Sequence, residues 1–213
     1  MLNFLINNWI SILAALGSFG SFIIAYRIKL QTEAPIEAIA DPQTEWLIML
    51  LGEDGRSLIN NRGLAMFNIT VINPSNVDVS YFDLRVIDQE NDEELNFYKK
   101  EQLSKINNAA NMEIRTAINQ DHSSYIELPS GISGMLRAHS VTILSIVITP
   151  KENTKQINTV FKVARRHPLF KKNKYGYVLS KYEAIFVSSV LDKSSKPDYQ
   201  KLLTQGNAEK HHP

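Results

Sequence analysis

Cysteine is absent from these 213 residues. That excludes disulfides, thiolate metal sites and a cysteine nucleophile. Glycine is scarce, at 9 residues, and no Gly-rich phosphate loop is present; Gly17 and Gly20 fall in an apolar run and Gly131 and Gly134 in a turn-rich connection. There is no G-x-S-x-G nucleophile elbow and no pair of histidines at zinc spacing, since His211 and His212 stand side by side near the chain's last residue. The absence with the largest consequence is charge: no charged side chain precedes Arg27.

What occupies that uncharged stretch is an almost unbroken apolar run, Phe4 to Ile28, FLINNWISILAALGSFGSFIIAYRI. As a helix it covers roughly 35 Å, enough for the ~30 Å hydrocarbon core of a bilayer. A secretory signal would need a basic segment before the run and a shorter apolar stretch, so an uncleaved single-pass membrane anchor is expected. Arg27 and Lys29 are the flanking cations, which places the C-terminal side in the cytoplasm, with Trp9 and Tyr26 at interfacial positions. Gly17, Ser21 and Ala25 recur every four residues, a spacing that lets a second membrane helix approach closely.

Past the anchor, taken as residues 1–29, the reading gives a linker at 30–43, a β domain at 44–191 and a polar tail at 192–213. Pro35 and Pro42 discourage a continuous helix in the linker. Period-two alternation marks Ala65–Asn73, where Phe67, Ile69 and Val71 share a face, and recurs in Val141–Thr149 and Ile157–Arg165. Trp46–Leu51 is a short strand before the turn Gly52–Gly55, Tyr177–Val190 is one long strand or a hairpin, and Lys99–Asn107 is a short helix. In Val77–Asp88 the apolar phase slips by one residue at Tyr81–Phe82, which predicts a bulge or a change of sheet there. Many short strands, frequent turn signals and no helix long enough for a crossover indicate a mainly β chain, an antiparallel β-sandwich tethered to one N-terminal transmembrane helix.

The overall net charge of +1 conceals an asymmetry. Residues 1–150 carry a net of −7 and residues 151–213 a net of +8. The positive end centres on Lys162–Lys181, which includes Arg165, Arg166, Lys171, Lys172 and Lys174, contains no acid, and interleaves Phe170, Tyr175 and Tyr177. Such a segment fits an ordinary hairpin loop, an anionic lipid surface or, less readily, nucleic acid. Two Ser–His juxtapositions, Asp121-His122-Ser123-Ser124 and His139-Ser140, are the sole hydrolase candidates, and sequence neighbours rarely form a triad. The acidic stretch Asp88–Glu94 lacks the turn glycine of a calcium loop and reads as a solvated loop.

The run Asn7–Lys29, followed by FNITVINPSNVDVSYFDLRV (Phe67–Val86) and PSGISGMLRAHSVTILSIVI (Pro129–Ile148), resembles small single-pass membrane proteins of low-GC Gram-positive bacteria and their phages. The resemblance covers about half the chain and implies an immunoglobulin-like sandwich, with no activity attached. The expectation is therefore a membrane-anchored, non-enzymatic interaction module with no metal or cofactor. Its partners would be the bilayer and another membrane helix or protein. A membrane-tethered hydrolase, or a lipid- or nucleic-acid-binding domain using Lys162–Lys181, is the alternative.

Overall fold

The computed structural model describes residues 2–32, 34–51, 57–58, 60, 62–107, 114–119, 122–166, 180–194 and 196–199. It is mainly antiparallel β with one long N-terminal helix. That helix, α1 (Leu2–Thr32), is about 46 Å long at 1.5 Å per residue. Its window Leu13–Gln31 is long and apolar enough to cross a membrane, and none of that window is buried against the rest of the chain.

Two sheets enclose the main core. In the first, β5 (Leu64–Asn73) is the middle strand, with β11 (Ser140–Ile148) on one side. On the other side β1 (Glu37–Ala40) and β2 (Glu45–Leu47) follow one another along its edge. In the second, β6 (Val79–Asp88) and β12 (Gln156–Arg166) are central and β13 (Ser180–Val190) lies outside β12. The short strands β7 (Glu93–Leu95) and β10 (Gly134–Leu136) share the far side of β6. Alternation decides what faces inward: Phe67, Ile69 and Val71 from β5 meet Leu84 and Val86 from β6 and Phe161 and Val163 from β12, all buried. Tyr81 packs edge-on against Phe161 at 6.1 Å between ring centroids.

The phase slip in β6 is a bulge. Asp83 takes a left-handed backbone conformation (φ 56°), and the register passes from Val160↔Arg85 to Lys162↔Phe82. Asp83 and Leu84 thus stand opposite the single residue Phe161, and Leu84 and Val86 turn back into the core. Released from the ladder, the Leu84 N–H donates to the Ile132 carbonyl at 3.0 Å.

A third sheet runs β4 (Ser57–Leu58), β3 (Met49–Leu51), β8 (Ile114–Asn119), β9 (His122–Ile126). Together with α2 (Lys100–Asn107) it covers one half of the outer face of the first sheet. There Leu47, Leu50, Leu103 and Leu128 enclose Met66 and Val147 in a second, smaller cluster. The expected helix at Lys99–Asn107 is α2, and β8 and β9 are strands for which the sequence reading offered no element. The turn Gly52–Gly55 lies outside the described residues.

Two boundaries differ from the sequence reading. The 30–43 segment is not a free linker: α1 continues to Thr32, Ile36 is buried, and β1 pairs with Ile69–Ile72. Pro35 ends the helix, but the alternating EAIA that follows can lay Ala38 and Ala40 on the core. The residues after 191 are not uniformly a polar tail either. Tyr199 buries its ring and donates its hydroxyl to the Leu47 carbonyl at 2.6 Å, while the Trp46 Nε1–H donates to the Asp192 carbonyl. Both rings close over Gly63, whose φ of 91° and lack of a side chain the site requires, since a Cβ there would come within 2.6 Å of Tyr199.

Candidate functional site: the helix-proximal end of the sandwich

The site begins with the sequence Asn73-Pro74-Ser75-Asn76, where β5 must reverse into β6. Asn73 is buried, and its amide donates to three carbonyls, Val77 at 3.0 Å, Leu136 at 3.1 Å and Arg137 at 2.9 Å. Its Oδ1 accepts from the Ser75 N–H at 3.1 Å and the Ser75 hydroxyl at 2.6 Å, an Asx-type turn. A second turn, between β10 and β11, is stitched to the first. His139 donates its N–H to the Ser75 carbonyl at 3.0 Å, and Asp78 accepts from the Ala138 N–H at 2.8 Å. His139 holds φ 49° at the tip of this turn and is exposed. The result is a fixed platform at one end of the sandwich.

The helix arrives at the same end. Its Gln31 carbonyl accepts from the Asn76 N–H at 3.4 Å, and four residues, 33–36, separate Thr32 from the first strand. The β12–β13 hairpin also arrives there. Val163 pairs with Tyr81, two residues into β6, so the strand ends Arg165↔Lys181 and Arg166↔Ser180 lie level with the platform. Of the cations singled out from the sequence, Arg165 and Arg166 are thus placed by their backbone on a strand at this end. Lys171, Lys172 and Lys174 lie outside the described residues. β12 and β13, which flank that run, pair antiparallel, and the connection between them lies outside the described residues.

Lys162 corrects one part of that reading. Its ammonium sits 2.6 Å from Asp83 on the neighbouring strand and 5.2 Å from the centre of the Tyr182 ring, so this cation is paired across the sheet. The hydrogen bond from Lys162, aided by Arg85 at 3.3 Å, holds the Asp83 carboxyl below its usual range. Sequence could not find this partner, because Asp83 and Lys162 are brought together by the bulge and the register.

The other candidates separate. Gly17, Ser21 and Ala25 are exposed along α1, and the Ser21 hydroxyl bonds within the helix to the Gly17 carbonyl at 2.9 Å. Asp121 lies outside the described residues, as do the side chains of His122 and Ser123 on β9. The Ser140 hydroxyl donates to the Arg137 carbonyl at 2.6 Å, so it caps the turn. The Asp88–Glu94 stretch is tied to its neighbours more than a solvated loop requires. Asp88 is fully buried and accepts from Thr154, Asn91 and the Glu90 N–H, at 2.5, 2.7 and 3.1 Å. Burial pushes its pKa up, and these three donors together outweigh it and hold the carboxyl below its usual value. Glu90 accepts from the N–H groups of Lys155 and Gln156, and Glu93 pairs with Lys151. Among the described residues, no three His, Asp or Glu side chains are grouped to hold a metal ion.

No protein-family model matches this chain, and no curated protein sequence is similar to it.

Proposed function

We propose that this chain is a membrane-anchored, non-enzymatic interaction module: an immunoglobulin-like sandwich held at the bilayer by α1. The observation that carries the reading is α1 itself. Its large apolar side chains, Leu16, Phe19, Phe22 and Ile24 among them, are each more than 60 % exposed and touch no core, an arrangement that water does not tolerate and hydrocarbon does. The immunoglobulin-like assignment rests on strand order. β1/β2–β5–β11 facing β10–β6–β12–β13 follows the order of that sandwich, with the central strands of each sheet in the expected sequence positions. The parallel bridge Gln43↔Val190, joining the first sheet's edge to β13, fits the same architecture. Arg27 and Lys29 favour a cytoplasmic β domain.

The test is fractionation followed by capture. Full-length protein should stay with membranes after alkaline carbonate extraction, and in-cell crosslinking should recover one reproducible protein partner. Complete release by carbonate overturns the anchor. Recovery of the protein alone under several growth conditions overturns the interaction role. A C-terminal alkaline phosphatase fusion that is active would reverse the orientation.

A further inference from the structure

We infer that the helix-proximal end of the sandwich is a lipid-docking surface that seats the domain on an anionic leaflet. This rests on the anchor reading above and names the surface and its ligand. Three independent features converge on that end. The first is reach. Because Ile36 is already buried in the domain, only residues 33–35 lie between it and Thr32, a span of at most about 14 Å when extended, so the end of the domain nearest the helix cannot leave the headgroup region. The second is charge. The register brings Arg165, Arg166 and Lys181 to this end, beside exposed Arg137 on the β10–β11 turn. The described acids at this end are Glu37, Asp78 and Glu183, and Asp78 is already held by the Ala138 N–H. The third is apolar exposure. Val77, Met135, Val141 and Tyr182 are all exposed and all lie within about two residues of this end, Met135 opposite Ser80 and Val141 opposite Ile72. Tyr182 is placed through Ala164, one residue beyond the Val163↔Tyr81 pair. Cations beside apolar and aromatic side chains are the composition that lies in a headgroup layer.

The surface is also preformed. Asn73, Asp78 and Ser75 lock the two turns together, so docking orders little that is not already ordered. The far end offers the contrast. It lies about 30 Å away along the ten residues of β6, and its acidic residues Glu90 and Glu93 are spent on local bonds.

The absence of cysteine from these 213 residues allows a direct test in the intact chain. Single cysteines replace exposed Ser80 at the near end and exposed Glu152 at the far end, and each carries a fluorophore. The protein is reconstituted into phosphatidylcholine vesicles with or without 30 % phosphatidylserine, each containing a headgroup-attached quencher. The Ser80 site should be quenched more strongly in the anionic bilayer, the excess should vanish as salt rises, and the Glu152 site should respond to neither. Combining Arg137→Gln, Arg165→Gln, Arg166→Gln and Lys181→Gln should abolish the excess while leaving carbonate resistance and the circular dichroism spectrum unchanged. Equal quenching at Ser80 in neutral and anionic bilayers, with the protein inserted in both, overturns the docking surface and spares the anchor. Protein that is extracted by carbonate from both bilayers overturns anchor and surface together. A single-stranded oligonucleotide that binds, and that the same four substitutions release without any change in lipid quenching, assigns the cations to nucleic acid and overturns the lipid surface.

Discussion

α1 and the sandwich draw on the same apolar side chains and deploy them in opposite ways. Along α1, Leu, Ile and Phe point outward on every side, and none of the span Leu13–Gln31 is buried. Along β5 they alternate, so that Phe67, Ile69 and Val71 are sealed while Asn68, Thr70 and Ile72 stay half-exposed. The count of apolar residues therefore says little about where a segment belongs; their period says a great deal. An all-round apolar helix satisfies its backbone internally and needs hydrocarbon around it. A strand that is apolar on alternate residues needs a second sheet to lie against.

Substitutions can separate the two regions. The largest effect is expected at Phe161, fully buried between the sheets. Phe161→Ala should lower unfolding free energy by about 3–5 kcal/mol, read by urea denaturation of the detergent-solubilised protein, with membrane retention unchanged. Next is a charge at the middle of α1. Leu16→Arg should cost about 3 kcal/mol of insertion and shift protein into the carbonate-soluble fraction, with the urea midpoint of the sandwich where it was. If Leu16→Arg also destabilised the sandwich, the two regions would not be independent.

Smaller effects sharpen the comparison within the sandwich. Asn73→Ala removes the amide that reaches the carbonyls of Val77, Leu136 and Arg137, leaves Val77 and Arg137 only the hydroxyls of Ser75 and Ser140, and should cost about 1–3 kcal/mol. Proteolysis confined to the turns 74–78 and 137–139 would show that the loss is local to the helix-proximal end. Smallest is the pH dependence from Asp88. Its folded pKa is depressed, so its contribution is fully present above about pH 4, near its unfolded value, and is lost as pH falls through the lower folded one. Urea midpoints between pH 3 and 6 should show less of this acid-side loss in Asp88→Asn than in the unaltered protein. An identical profile in both would assign the acid sensitivity to other carboxylates.

Much of the fold was legible because its long strands carry their own pattern. β5, β11 and β12 lie where alternating strands were expected, although the start of β5 and the end of β11 are buried on both faces beneath the third sheet; α2 lies where the short helix was expected, and the phase slip in β6 found its bulge within two residues of Tyr81–Phe82. What escaped was short or non-local. β7 and β10 are three residues each, too short for periodicity to register, and β1 hid between two prolines. Tyr199 read as part of a polar tail because its polar neighbours set the average, while one amphipathic ring was enough to anchor the segment. The candidate site was half visible. The cationic composition of Lys162–Lys181 stood out, but the placement of its strand residues Arg165, Arg166 and Lys181 at the helix-proximal end did not. In hindsight Asn73-Pro74-Ser75-Asn76 was the local signal for the turn platform.

The sequence by itself determined that one end of this chain is a long apolar helix with no charge before Arg27, that the rest is mainly alternating β structure, and that thiol chemistry is excluded within these residues. Those properties are local, set by composition and by periods of two and of all-round apolarity within a dozen or so residues. Only the tertiary structure decided which strands pair. Pairing is what carries the strand ends of β12 and β13 to the helix, joins Lys162 to Asp83, and shortens the tether to the residues between Thr32 and buried Ile36. Register is a long-range choice, fixed by how whole faces of side chains fit across the core, and no local window contains it.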